Sequence, residues 1–88
     1  DTTSMYLLGK CYEQGKGVKQ DYAKARSLYE KAAQRTDHVG APAMVYLGDM
    51  YAKGLGVAVD TAKAKAWYQK AAVTGNLDAI EALKEIGG

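Results

Sequence analysis

The segments LGKCYEQGKGV at residues 8–18 and LGDMYAKGLGV at residues 47–57 are two copies of one pattern, 39 residues apart. Aligning residues 5–35 with residues 44–74 without a gap gives 15 identities in 31 positions. A repeat of this length is typical of helical arrays, in which each unit buries its apolar face only by stacking on its neighbours. The sequence therefore predicts an all-α fold, an αα-hairpin solenoid.

The apolar spacing of the first copy predicts a helix at about residues 3–14, with Met5, Leu8, Cys11 and Tyr12 on its apolar side. The second copy repeats this arrangement, and a further helical pattern follows it. Five helices are expected, at about residues 3–14, 22–35, 41–53, 61–74 and 77–86. The last of these resembles a first helix without its partner, so we expect it to cover the second hairpin as a C-terminal capping helix.

Helix-capping residues mark the boundaries between these helices. Asp21, Asp60 and Asn76 are good N-caps, because their short side chains can accept from the free backbone N–H groups of a first turn. We expect one helical-repeat domain over residues 1–88. Its parts are repeat one at about 4–39, repeat two at about 40–75 and the capping helix at about 76–86, and the whole is expected to be a fragment of a longer protein.

Some positions kept in both copies have an explanation in folding alone. The signature set is Gly9, Tyr12, Gly15, Gly17, Gly48, Tyr51, Gly54 and Gly56. A glycine inside a helix costs about 1 kcal/mol relative to alanine, so Gly9 and Gly48 indicate close approach of alanines on the second helices. We expect Tyr12 and Tyr51 to fill the gap between hairpins, with the turns accepting the hydroxyls of buried tyrosines.

Composition and motifs exclude several classes of chemistry. A net charge of +2 is too small to indicate a nucleic-acid or membrane partner. The single cysteine, Cys11, forms no intrachain disulfide, and His38 has no companions spaced for a metal. The Gly-x-Gly turns follow helices and continue to Gln20 and Val59 where a phosphate-binding loop needs glycine. We expect no catalytic, cofactor or metal site, and no enzymatic activity.

The second copy resembles the Sel-one-like repeat (SLR) family, αα-hairpins related to tetratricopeptide repeats. The matching residues are Ala43, Leu47, Gly48, Tyr51, Gly54, Gly56, Val57, Asp60, Lys63, Ala64, Trp67, Tyr68, Lys70, Ala71, Ala72 and Gly75. The first copy departs from the pattern at Ser4 and Leu28, and Cys11 lacks the partner that cysteine-rich members have. The resemblance implies a scaffold or adaptor that binds proteins, often in a bacterial envelope or signalling setting. It allows a periplasmic, secreted or cytoplasmic location.

In stacked αα-hairpins the first helices line the concave side, where a ligand meets the positions outside the apolar stripe. The candidate partner-binding residues are Tyr6, Lys10, Glu13, Gln14, Val45, Asp49, Ala52 and Lys53. The expected partner is another protein or peptide, or another domain of the parent chain, without nucleic acid and without a membrane span. Two alternatives stay open, a purely structural spacer and weak polyanion binding by an outer basic face. That face comprises Lys24, Lys31, Lys63 and Lys70.

Overall fold

Five helices follow one another in the computed structural model, which describes residues 1–87 and has no strand in that range. The helices are α1 Thr2–Gln14, α2 Tyr22–Ala33, α3 Ala41–Lys53, α4 Thr61–Val73 and α5 Leu77–Glu85. Each helix packs mainly against its neighbours in sequence, so that α1–α2 and α3–α4 are hairpins, α3 stacks on α2, and α5 stacks on α4. The predicted all-α hairpin solenoid is confirmed.

The predicted N-caps hold the starts of the second helices. The Asp21 carboxylate accepts from the backbone N–H of Lys24 at 3.1 Å, and the Asp60 carboxylate from that of Lys63 at 3.0 Å. Asn76 caps α5 in the same way, at 3.0 Å. Each of these bonds satisfies a first-turn N–H group that has no partner inside the helix.

The helix ends lie within two residues of the predicted ones. Gly15 and Gly54 follow α1 and α3 with φ of 70° and 72°, a left-handed conformation that glycine adopts without strain. Helix α1 begins one residue earlier than expected, and α2, α4 and α5 end one or two residues earlier. The early end of α2 leaves room for the link between the hairpins.

The link is a hydrogen-bonded turn built around Asp37. Its carboxylate accepts from Arg35 Nε at 2.9 Å and from the backbone N–H of Val39 at 3.0 Å. Its carbonyl oxygen accepts from the backbone N–H groups of Gly40 and Ala41, both at 3.1 Å. A side chain on Gly40 would overlap the carbonyl oxygen of Arg35. Glycine is therefore needed where the link turns the chain into α3.

The glycines inside α1 and α3 make room for tyrosine rings. A Cβ on Gly9 would lie 2.6 Å from Cε1 of Tyr29, and one on Gly48 would lie 2.5 Å from Cε1 of Tyr68. Real Cβ contacts are longer than this, so alanine fits neither place without movement of a buried ring. The expectation of close approach holds, since the Ala25 carbonyl oxygen would lie 3.3 Å from the Cβ on Gly9. At both glycines, however, the nearest atoms belong to a tyrosine ring, which the sequence did not predict.

The two copies differ in which side chains are buried. Leu47 and Met50 on α3 are fully buried, whereas their counterparts Leu8 and Cys11 on α1 are 45% exposed and half-buried. The reason is position in the stack, since α3 lies between α2 and α4 while α1 packs mainly against α2 alone. The predicted apolar stripe of α1 is therefore not part of the fully buried core.

The tyrosines of the repeat signature differ in the same way. Tyr51 is 9% exposed and borders Arg26 of α2 across a shallow cleft, so it lies between hairpins as expected. Tyr12 is only half-buried and does not fill a gap between hairpins, because no hairpin of residues 1–87 lies on that side of it. In both copies an ammonium group from the second helix lies over the ring, Lys24 over Tyr12 and Lys63 over Tyr51, each at 5.2 Å.

Candidate interaction surface

The ring of Tyr46 on α3 is the centre of a cluster formed by three helices. The Tyr6 ring from α1 meets it edge-on, with centroids 6.0 Å apart, and the Tyr29 ring from α2 lies 5.2 Å away. The Lys10 ammonium group lies 4.4 Å from the centroid of the Tyr46 ring, within the range of a cation–π interaction. Two predicted site residues, Tyr6 and Lys10, are therefore brought together around a residue that was not predicted.

Sequence reasoning could have found Tyr46. It aligns with Leu7 of the first copy, and Leu7 is 52% exposed in the structure. The candidate partner-binding residues are first-helix positions outside the apolar stripe, and the position of Leu7 and Tyr46 meets that criterion. A large apolar or aromatic residue beside the repeated Leu-Gly pair favours a core position instead, and this signal hides Tyr46 from sequence reasoning.

Glu13 and Asp49 each accept a hydrogen bond from a buried tyrosine hydroxyl. The Tyr29 hydroxyl donates to Glu13 at 2.8 Å, and the Tyr68 hydroxyl donates to Asp49 at 2.6 Å. Glu13 also forms an ion pair with Lys10 at 3.6 Å. The expectation that turns would accept these hydroxyls was wrong, because carboxylates of the first helices lie closer to the rings. Both residues therefore contribute to folding as well as to the candidate surface.

The two copies place this carboxylate at different positions of the first helix. In the alignment Asp49 corresponds to Lys10, whereas Glu13 lies three residues further along α1. Residues three apart on a helix face the same side. A carboxylate at either position can therefore reach the hydroxyl of the second-helix tyrosine, which is Tyr29 in the first copy and Tyr68 in the second. The glutamate side chain is longer, and from one turn further along α1 its carboxylate reaches the Tyr29 hydroxyl. In the first copy the aligned position is occupied by Lys10, whose ammonium group lies over the Tyr46 ring.

Burial raises the pKa of the Tyr29 hydroxyl well above its ordinary value, and the hydrogen bond to the Glu13 carboxylate raises it further. Burial, followed by the hydrogen bond to Asp49, raises the pKa of Tyr68 in the same way. A carboxylate acceptor stabilises the protonated phenol, and a phenolate at the same place would be repelled. Both tyrosines are therefore neutral donors at neutral pH.

We expect this arrangement to make stability fall at high pH. Unfolded tyrosine releases its proton at a pH of about 10, while the folded state still holds it because the folded pKa is raised. The contribution to stability is therefore complete below that pH and is lost as the pH rises above it. Urea unfolding between neutral pH and alkaline pH should show a steeper loss for wild type than for the Tyr29→Phe/Tyr68→Phe variant. Parallel losses would contradict the assignment.

The remaining predicted residues have different surroundings. Val45 is only 7% exposed and contributes an apolar edge, so it is largely core and not the open surface position we expected. Ala52 is half-buried, and Gln14 and Lys53 are exposed in the last turns of α1 and α3. These last three residues do not line the cleft described next.

An open cleft of about 270 Å³ lies between α3 and α5, next to Tyr46. Its lining residues are Val45, Tyr46, Asp49, Asp78, Glu81, Ala82 and Glu85. Helix α5 thus contributes more than the predicted cover for the second hairpin, since it supplies one wall of the α3–α5 cleft.

The lysines of the outer face are partly engaged with aromatic rings of the same chain. Besides Lys24 and Lys63, Lys70 lies 4.9 Å from the Trp67 ring. Such contacts hold the ammonium groups against apolar surface while leaving them solvated. In the part of the chain that the structure describes, no group of three or more His, Cys, Asp or Glu side chains is arranged to hold a metal ion. Over the same residues, no helix is long and apolar enough to cross a membrane.

The fold and the paired hairpins define an αα-hairpin solenoid, and comparison with known proteins gives its family. The family model of the Sel1 repeat matches residues 2–37 and 41–72. The chain belongs to the Sel1 repeat family. Proteins of this family are helical-repeat scaffolds that generally mediate protein–protein interactions.

Two solved structures are similar to this chain over most of its length. The Sel1 repeat protein from Oxalobacter formigenes is 43% identical with a TM-score of 0.86, covering 98% of this chain and 24% of that protein. The protein c5321, a protective antigen of uropathogenic Escherichia coli with an SLR fold, is 41% identical with a TM-score of 0.81. That match covers 89% of this chain and 16% of the antigen. The chain therefore spans a quarter or less of either protein. No curated protein matches it.

Proposed function

We propose that this chain is a non-catalytic module that binds a partner protein or peptide on the concave face formed by its first helices. The observation that carries the proposal is the cluster around Tyr46, where Tyr6 and Lys10 from α1 meet α3 beside the α3–α5 cleft. Tyrosine is among the residue types that contribute most to the binding energy of protein interfaces.

The burial pattern also supports this surface. Tyr6, Lys10 and Tyr46 are all half-buried, so their side chains are held in place by neighbours while part of each remains accessible. Side chains that are already ordered lose less conformational entropy when a partner binds. The roles of Glu13 and Asp49 in holding tyrosine hydroxyls add rigidity to the same face.

The test is capture of the partner by immobilised wild-type chain and by a Tyr6→Ala/Lys10→Gln variant. We expect the variant to lose about 1 kcal/mol or more of binding free energy per hot-spot residue, while its thermal melt shows that it stays folded. A Lys24→Gln/Lys31→Gln variant is the control, since it removes two positive charges from the outer basic face and leaves the residues around Tyr46 unchanged.

The two variants distinguish the alternatives. Loss of capture in the outer-face variant alone would overturn the proposal and favour polyanion-type binding by the lysines. Capture that neither variant reduces would place binding outside both surfaces and overturn the proposal. No capture by the wild-type chain would favour a spacer for another domain.

A further inference from the structure

The α3–α5 cleft carries negative charge that the chain does not neutralise. Four carboxylates line it, those of Asp49, Asp78, Glu81 and Glu85, and no lysine or arginine is among the lining residues. We call these four the cleft carboxylates. Across residues 1–87, the ion pairs of the chain are Lys10–Glu13 and Arg35–Asp37, and neither includes a cleft carboxylate. The electrostatic potential in the cleft therefore favours a positively charged occupant.

The same cleft has an apolar side. Val45, Tyr46 and Ala82 line it together with the carboxylates. Burial raises the pKa of the Tyr46 hydroxyl, and Asp78 and Asp49 add to this effect through their charge. Asp49 and Asp78 also line the cleft with the Tyr46 ring, so a group in the cleft meets apolar surface and negative charge together.

On the α1 side of Tyr46, the chain itself places a cation against an aromatic ring and a carboxylate. There the Lys10 ammonium group lies over the Tyr46 ring at 4.4 Å and pairs with the Glu13 carboxylate at 3.6 Å. An aromatic face beside a carboxylate suits a long basic side chain, because the stem covers apolar surface and the head meets the charge. On the α5 side, the carboxylates are present and the cation is missing from the lining.

The volume and open form of the cleft indicate whether its positively charged occupant is a small molecule, a metal ion or a segment of a protein chain. A volume of about 270 Å³ is below the usual range of about 300–1,000 Å³ for small-molecule pockets. The absence of a metal-binding group of side chains within residues 1–87 argues against a single bound ion. Carboxylates spread along an open cleft match instead a segment that carries its positive charges along a chain.

Resting on the proposed function, we infer that the α3–α5 cleft binds a basic segment of the partner protein, with lysine or arginine side chains reaching the cleft carboxylates. The aliphatic stems of these side chains lie against Val45 and Tyr46. Charge complementarity of this kind selects among partners and speeds association, and it weakens as salt screens the charges.

The test uses three synthetic peptides of equal length, in which alanine alternates with lysine, with glutamate or with glutamine. Binding is followed by backbone amide NMR of the whole chain, which also maps the site. The lysine peptide should shift Tyr46 and α5 resonances, and a Glu81→Gln/Glu85→Gln variant should bind it at least about tenfold more weakly. Glu81 and Glu85 lie at the middle and at the end of α5, away from its N-terminus. Loss of their negative charge therefore removes no favourable interaction with the helix dipole.

A Glu30→Gln/Gln69→Lys variant is the matched control, because it changes the net charge by the same two units at equivalent exposed positions of α2 and α4. Equal weakening in both variants, or no binding of the lysine peptide, would overturn the inference. Binding of the glutamate or glutamine peptide at Tyr6 and Tyr46 instead would overturn only the charge assignment and leave the proposed surface standing. Resonance shifts confined to Lys24 and Lys63 would overturn both the charge assignment and the proposed surface.

Discussion

Tyr29→Ala is expected to lower the free energy of unfolding by about 3–5 kcal/mol, as loss of a large buried aromatic does. Tyr29 is fully buried, packs on Gly9 and against the Tyr46 ring, and donates its hydroxyl to Glu13. Removing it leaves a cavity between α1, α2 and α3. A chain of 88 residues has about 4–13 kcal/mol of stability in total. The loss is therefore a large fraction of the total, and we expect the variant to unfold at a much lower temperature and urea concentration than wild type.

Tyr29→Phe separates packing from hydrogen bonding in this experiment. It keeps the ring and removes the hydroxyl that donates to the Glu13 carboxylate, so a loss of about 1.5–3 kcal/mol is expected. Tyr12→Ala, at a half-buried position, should cost less than Tyr29→Ala. A Tyr29→Ala variant that melts within a few degrees of wild type would show that the ring does not hold the first hairpin to the second.

Leu47→Ala and Leu8→Ala should have very different effects although the two leucines occupy the same place in the repeat. Leu47 is fully buried between α2 and α4, so its truncation should cost about 2–5 kcal/mol. Leu8 is 45% exposed, so its truncation should cost about 1 kcal/mol or less. Urea unfolding of both variants under one set of conditions provides the comparison.

Each leucine is the other's control, because both precede the glycine of the same Leu-Gly pair. Similar losses at both positions would mean that α1 is covered in solution by something beyond the packing seen here. Losses in the reverse order would show that the assignment of the core to α3 is wrong.

Repeat register, helix boundaries and turns could be predicted from the sequence because they depend on residues a few positions apart. Asp21 and Asp60 cap helices through N–H groups three residues away, and Gly15 and Gly54 adopt their left-handed conformation at the ends of α1 and α3. The same short-range pattern, repeated twice, was also sufficient to indicate the family. Of the candidate surface, Tyr6 and Lys10 were predicted and lie together, whereas the central residue, Tyr46, was not.

Burial and side-chain partners were decided only by the tertiary structure. Leu8 and Leu47 are both followed by glycine, yet one is exposed and the other is fully buried, because α3 packs between α2 and α4 whereas α1 packs mainly against α2. The tyrosine hydroxyls bond to first-helix carboxylates that lie 16 and 19 residues away in the chain. The acidic cleft likewise exists only because α5 packs on α4 with its carboxylates beside Asp49 of α3. Local pattern determined each helix of this protein, but contacts between helices determined its surface, because burial depends on what packs against a residue and not on the residue itself.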